Sequence, residues 1–188
     1  YYKGIFTILS SCASRQLEEV TFRRTVIPVQ ELLDAAGKYF KKLMKNRPER
    51  IELEIEPMEA KVIGDVNQLR FLLENLIDEA LSVPVAGKIR LTCAVEDDFV
   101  RFLFTDMRRE KTREELNQLF YPNLVRMTAG EKGKLCGTEY LLCKQIIRDH
   151  DEFAGRRGCR INAEPAEKGG FSVYFTLPRY LKRIQPRR

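Results

Sequence analysis

Between residues 68 and 81, Leu69, Leu72, Leu73, Leu76, Ile77 and Ala80 recur at steps of three and four. That period predicts a helix with one buried stripe and places Glu74, Asn75, Asp78 and Glu79 toward its edges. Any packed helix shows such a stripe, so the pattern alone assigns no ligand. Leu32, Leu33, Ala36, Tyr39, Phe40 and Leu43 repeat it over residues 28–44, behind a proline suited to a helix start. A third amphipathic helix is expected over residues 137–149, with Leu141, Leu142, Ile146 and Ile147 on its inner side. Thr112 and Glu115 stand at capping-box spacing before a short helix ending near Phe120. Residues 1–19, with a loose set of Ile8, Leu9, Cys12 and Leu17, read as the remnant of an upstream helical segment.

Strands show the other period. Residues 51–56 alternate strictly between apolar and acidic positions, which marks a half-buried strand. A β-branched run over residues 20–27 stops at Pro28, and residues 61–65 supply another short strand. Residues 88–95 and 99–105 form a hairpin through the acidic turn Glu96-Asp97-Asp98, and residues 158–163 and 170–177 complete the set. Helices and half-buried strands therefore interleave. They predict an α/β two-layer sandwich, a mixed sheet covered on one face by helices.

Composition narrows the chemistry. With 188 residues, 44% hydrophobic and 32% charged, the chain suits one packed domain plus a short appendage, here a basic tail at residues 181–188. No apolar run approaches membrane-spanning length. Five dispersed cysteines without a Cys-x-x-Cys pair point to free thiols, and a single histidine, His150, leaves little for a metal site or a catalytic triad. The net charge of +6 is scattered or sits in the tail, so no groove for nucleic acid is expected.

Four landmarks over residues 20–178 resemble the ATP-binding catalytic domain of sensor histidine kinases, in the Bergerat-fold superfamily shared with gyrase, large heat-shock chaperones and mismatch-repair ATPases. Gly64-Asp65 and Asn75-Leu-Ile-Asp-Glu-Ala80 are similar to the asparagine box, where two polar residues four apart share one helical face. The strand 100–105 leading into Asp106-Met-Arg-Arg-Glu110 resembles the Asp-x-Gly-x-Gly turn. Residues 114–122, with Phe120, resemble the phenylalanine-bearing segment before a lid, here residues 121–135. Gly137-Thr138-Glu139 followed by a helix resembles the glycine turn whose backbone N–H groups hold phosphate.

The resemblance implies ATP with Mg²⁺ as cofactor, bound through Asn75, Asp106, Gly137 and Thr138, with Asp106 accepting from the adenine amine and Glu79 standing where the magnesium ligand is expected. It implies phosphoryl transfer to a histidine on a helical dimerisation domain, a response regulator as a further partner, and a cytoplasmic setting, which a membrane-anchored sensor would also provide. Against activity, Glu79 replaces an asparagine, and Arg108, Glu110 and Glu139 occupy glycine positions. A carboxylate can hold Mg²⁺, yet without metal it repels a triphosphate. Three readings stay open: a divergent kinase domain, a pseudokinase that has lost Mg-ATP and serves as a regulatory interaction module, or a Bergerat-type ATPase without kinase activity, for which no clear general base stands before the asparagine box. Asp106 is either the adenine contact or a plain turn residue, and His150 is expected to be structural.

Overall fold

In the computed structural model, residues 21–121 and 138–182 are described. The upstream remnant, Cys12, Cys136, Gly137, the lid from residue 122 onward and the tail from residue 183 lie outside them. The order is β1 (Thr25–Pro28), α1 (Val29–Met44), β2 (Ile51–Ile55), β3 (Lys61–Gly64), α2 (Val66–Leu81), β4 (Gly87–Glu96), β5 (Phe99–Asp106), α3 (Arg113–Asn117), α4 (Glu139–Phe153), β6 (Ile161–Pro165) and β7 (Phe171–Pro178).

Five strands form a mixed sheet in the order β2-β4-β5-β7-β6, with β2 parallel to β4 and the other pairs antiparallel. Alternation decides its two faces. Ile89, Leu91, Val100, Phe102, Phe104, Val173, Phe175 and Leu177 point inward and share one core with the buried stripes of α1, α2 and α4. Phe102 and Phe175 stack there with centroids 4.7 Å apart. The opposite face carries Arg90, Arg101, Thr105 and Tyr174, tied by pairs such as Arg101 to Glu164 at 2.7 Å. The architecture is thus the expected two-layer α/β sandwich.

Three expectations need correction. The first strand covers only Thr25–Pro28, because its partner β3 is four residues long and Arg23 N–H turns instead to Asp65 at 3.0 Å. The last strand pair begins later, at Ile161, because the Asp151 carboxylate takes the N–H groups of Gly158 and Cys159. In α4 the buried set is Glu139, Tyr140, Cys143, Ile146, Ile147 and His150, while Leu141 and Leu142 are half-buried. A polar side chain with partners at both ring nitrogens can join a core, so counting only apolar letters rotated the helix.

His150 is fully buried: its Nδ1 lies 2.8 Å from Ile146 O, and Nε2 accepts from Asp65 N–H at 3.1 Å. The structural role expected of it holds. A Cβ on Gly64 would lie 2.8 Å from the imidazole and 2.9 Å from Leu69, so only glycine lets α4 approach β3 so closely. Cys93, Cys143 and Cys159 are free thiols. Among the described residues no helix is long and apolar enough to cross a membrane.

Candidate functional site

The candidate residues gather where the end of β5, the C-terminal half of α2 and the start of α4 meet. Helix α2 starts firmly: Asp65 accepts from Asn67 N–H at 3.0 Å and Gln68 N–H at 3.2 Å, an N-cap that suits the helix dipole. Its later turns bring Asn75 and Glu79 to one face. Asn75 is 6% exposed, and its amide donates to Phe71 O of the same helix at 2.8 Å.

Strand β5 ends on Asp106, 1% exposed. Its Oδ1 accepts from the N–H of Arg108 at 3.0 Å and from Arg108 Nε at 2.9 Å. Oδ2 accepts from Arg108 Nη2 at 2.9 Å and from Arg109 Nε at 2.8 Å. A carboxylate offers about four lone-pair sites, and these four donors use them. Burial pushes the Asp106 carboxyl up, but the Arg108 side chain and N–H, with the Arg109 and Arg108 charges, outweigh it and hold the group below the usual carboxylate range.

Arg108 does more than pair. Its side chain is 0% exposed, and the guanidinium also donates to Ala80 O at 2.6 Å, Val83 O at 2.9 Å and Val85 O at 2.8 Å. It therefore closes the C-terminal end of α2, where orphan carbonyls and the negative dipole end favour a cation. Its stem crosses Gly87, at φ +143°, where a Cβ would lie 2.6 Å from Arg108 Cγ.

Arg109 spans the rest of the site. It meets Glu79 with two parallel bonds, Nη1 to Oε1 at 2.9 Å and Nη2 to Oε2 at 2.7 Å, while its Cζ lies 5.2 Å from the Phe171 ring centroid. Tyr140 also donates to Glu79 Oε2. Burial works against the Arg109 charge, yet Glu79 outweighs it and raises the guanidinium above its ordinary value. Burial first and the Glu79 charge next push the Tyr140 phenol well up. The result is one connected chain, Arg108–Asp106–Arg109–Glu79–Tyr140.

Glu110, Glu139, Thr138 and Phe120 complete the surroundings of the site. Glu110 does not fill the pocket: it is exposed and accepts from Gly170 N–H at 2.8 Å. Glu139 is buried in the first turn of α4, and Thr138 at the helix start makes no side-chain cap. Phe120 packs edge-on against Tyr140, with centroids 5.7 Å apart.

Residues 64–181, more than half of the chain, match the family described as histidine kinase-, DNA gyrase B- and HSP90-like ATPases. The chain belongs to this ATPase family. Solved structures of histidine kinases share the fold. The catalytic domain of ThkA is 22% identical with a TM-score of 0.65, covering 84% of this chain and 96% of that one. The ATP-binding domain of PrrB from Mycobacterium tuberculosis is 18% identical with a TM-score of 0.61, covering 84% and 98%. ThkA in complex with the response regulator protein TrrA is 20% identical with a TM-score of 0.64, covering 95% of this chain and 49% of that one. No match is found among curated proteins.

The family implies ATP, normally with Mg²⁺, and the described residues at the adenine and metal positions do not fit that group. The acceptor matched to the adenine amine has no lone pair left, the guanidinium of Arg108 lies against it, and both oxygens of Glu79 are bound. Sequence reasoning found Asp106, Arg108 and Glu79 but missed Arg109 as their bridge and Tyr140 as the end of the chain. A partial signal existed: Arg108 and Arg109 follow Asp106 in one turn, two positive charges beside one negative, which leaves one guanidinium in need of a second carboxylate.

Proposed function

We propose that this histidine-kinase-like domain is a pseudokinase, a regulatory module that works through protein contacts in place of magnesium-ATP. The observation that carries the reading is Arg108, wholly buried against both oxygens of Asp106 and three carbonyls at the end of α2. Removing one partner of a buried, hydrogen-bonded ion pair costs roughly 3–5 kcal/mol. A nucleotide that had to expel Arg108 would bear that cost, which turns a micromolar site into one near or above about 0.1 mM. The Arg109–Glu79 pair works the same way on the metal side, since magnesium would have to break a two-bond pair before finding its ligand.

The partner classes that suit the reading are a helical phosphoacceptor or dimerisation domain and a response regulator. One similar kinase is known in complex with such a regulator. The competing reading is phosphoryl transfer from ATP to a histidine. Calorimetric titration of the chain with a non-hydrolysable ATP analogue, with and without Mg²⁺, separates them. No measurable binding in the micromolar range is expected. Micromolar, magnesium-dependent binding would refute the pseudokinase.

A further inference from the structure

Strand β2 is an edge of the five-stranded sheet, and its backbone directions follow from its bonds to β4. Arg50 O accepts from Gly87 N–H at 3.1 Å, and Glu56 N–H donates to Leu91 O at 3.2 Å. Even-numbered residues thus turn their backbone groups toward β4. The N–H and C=O groups of Ile51, Leu53 and Ile55 face the other way, where among the described residues nothing bonds to them. An edge of this kind is a template for another strand.

The open edge borders a groove of about 820 Å³ between β2 and α1. Leu33, Phe40, Leu53 and Ile55 give it apolar walls, and Gly37 sits in its lining, where a Cβ would lie 3.4 Å from Ile55 Cδ1. Its charges are not balanced. On the helix side Asp34 accepts from the neutral Gln30 amide at 2.9 Å and keeps its one negative charge against the two of Lys38 and Lys41, while Glu54 is taken by Lys88 at 3.1 Å and Arg90 at 2.9 Å on the far face of the sheet. Glu52 points to that same far face by strand alternation. Lys38 and Lys41 are exposed on the helix side and form no ion pair among the described residues.

We infer that β2 and α1 form a docking site for an extended acidic segment of a partner protein, which adds a strand to β2, sets alternate apolar side chains in the groove and meets Lys38 and Lys41 with carboxylates. Main-chain bonds supply affinity in this mode and the pockets beside the edge supply selectivity. A second copy of the chain suits the site less well, because a two-fold pairing of β2 with β2 would bring the lysines of both α1 helices to one interface. The inference does not depend on whether nucleotide binds.

The test uses a short blocked peptide alternating valine with threonine and ending in glutamates, against the same peptide ending in lysines. Fluorescence anisotropy reads affinity, and amide hydrogen exchange reads position. The acidic peptide should bind more tightly and slow exchange at Ile51, Leu53 and Ile55. Lys38→Glu with Lys41→Glu should weaken it about fivefold at low salt, and less as salt is raised. Gly37→Leu, whose side chain would leave a Cβ 3.4 Å from Ile55 Cδ1 and occupy the groove, should abolish binding, with the melting temperature measured alongside to separate lost docking from lost packing. Absence of binding, equal affinity for both peptides or protection at other strands would overturn the inference. So would protection of the β2 edge before any peptide is added, with the chain sedimenting as a dimer.

Discussion

The two ends of α2 are both sealed by buried ionic groups, and they differ in how. At the N-terminal end, Asp65 accepts only backbone N–H groups, those of Arg23, Asn67 and Gln68, and its own N–H donates to His150. At the C-terminal end a guanidinium from another element, Arg108, takes three carbonyls and a buried carboxylate. Each end has the charge that the helix dipole favours. The first uses local dipoles and is part of building the fold. The second puts a full charge where the family resemblance expects ligand, so one helix keeps the architecture at one end and loses the binding space at the other.

The sharpest break in this comparison is Arg108→Ala. It takes two side-chain donors from the buried Asp106 carboxylate, which keeps Arg109 and one backbone N–H, and removes the guanidinium from the carbonyls of Ala80, Val83 and Val85, so urea unfolding should show a loss of about 3 kcal/mol. Replacing Asp106 and Arg108 together with apolar residues should recover much of the loss, because no unpaired charge then remains. The same pair predicts acid behaviour. A folded carboxyl held below its unfolded value contributes stability that is fully present above the unfolded pKa of about 3.9 and is lost as pH falls through the lower folded value. Asp106→Asn should therefore flatten the acid limb of a stability–pH curve.

At the other end His150→Leu leaves Asp65 N–H without its partner inside the core, while Ile146 C=O keeps its helical N–H donor, for an expected loss of about 1–3 kcal/mol. Asp65→Ala should cost about 1–2 kcal/mol, the scale of an N-cap. Thermal unfolding orders the two. If Asp65→Ala proved as damaging as Arg108→Ala, the distinction between dipole and ion-pair sealing would fail. Glu79→Gln should have the smallest effect, about 1 kcal/mol. It keeps one oxygen for Tyr140 and Arg109 Nη2, gives up the second Arg109 bond, and leaves the Arg109 charge paired with Asp106.

Much of the fold was legible because its elements follow local periods. Strict alternation marked β2, three- and four-residue steps marked α1 and α2, and Thr112 with Glu115 formed the capping box that their spacing predicts. The errors fell where a polar residue crossed the inside–outside rule. His150 is buried because Asp65 and Ile146 satisfy it, which turned the inner face of α4 away from Leu141 and Leu142. Asp151 delayed β6 by capturing two N–H groups. At the site, the glycine positions held by Arg108 and Glu110 looked equivalent in sequence. The structure separates them, with Arg108 turned in against Asp106 and Glu110 turned out to Gly170.

The sequence by itself determined the family, the order of elements and the identity of the charges near the turn after β5, because these rest on spacing along the chain. Only the tertiary structure decided which charges meet. An ion pair forms at about 3 Å and its strength depends on water being excluded there, conditions set by the packing of α2, α4 and β5 together. That packing turned four charged letters, Glu79, Asp106, Arg108 and Arg109, into one closed network.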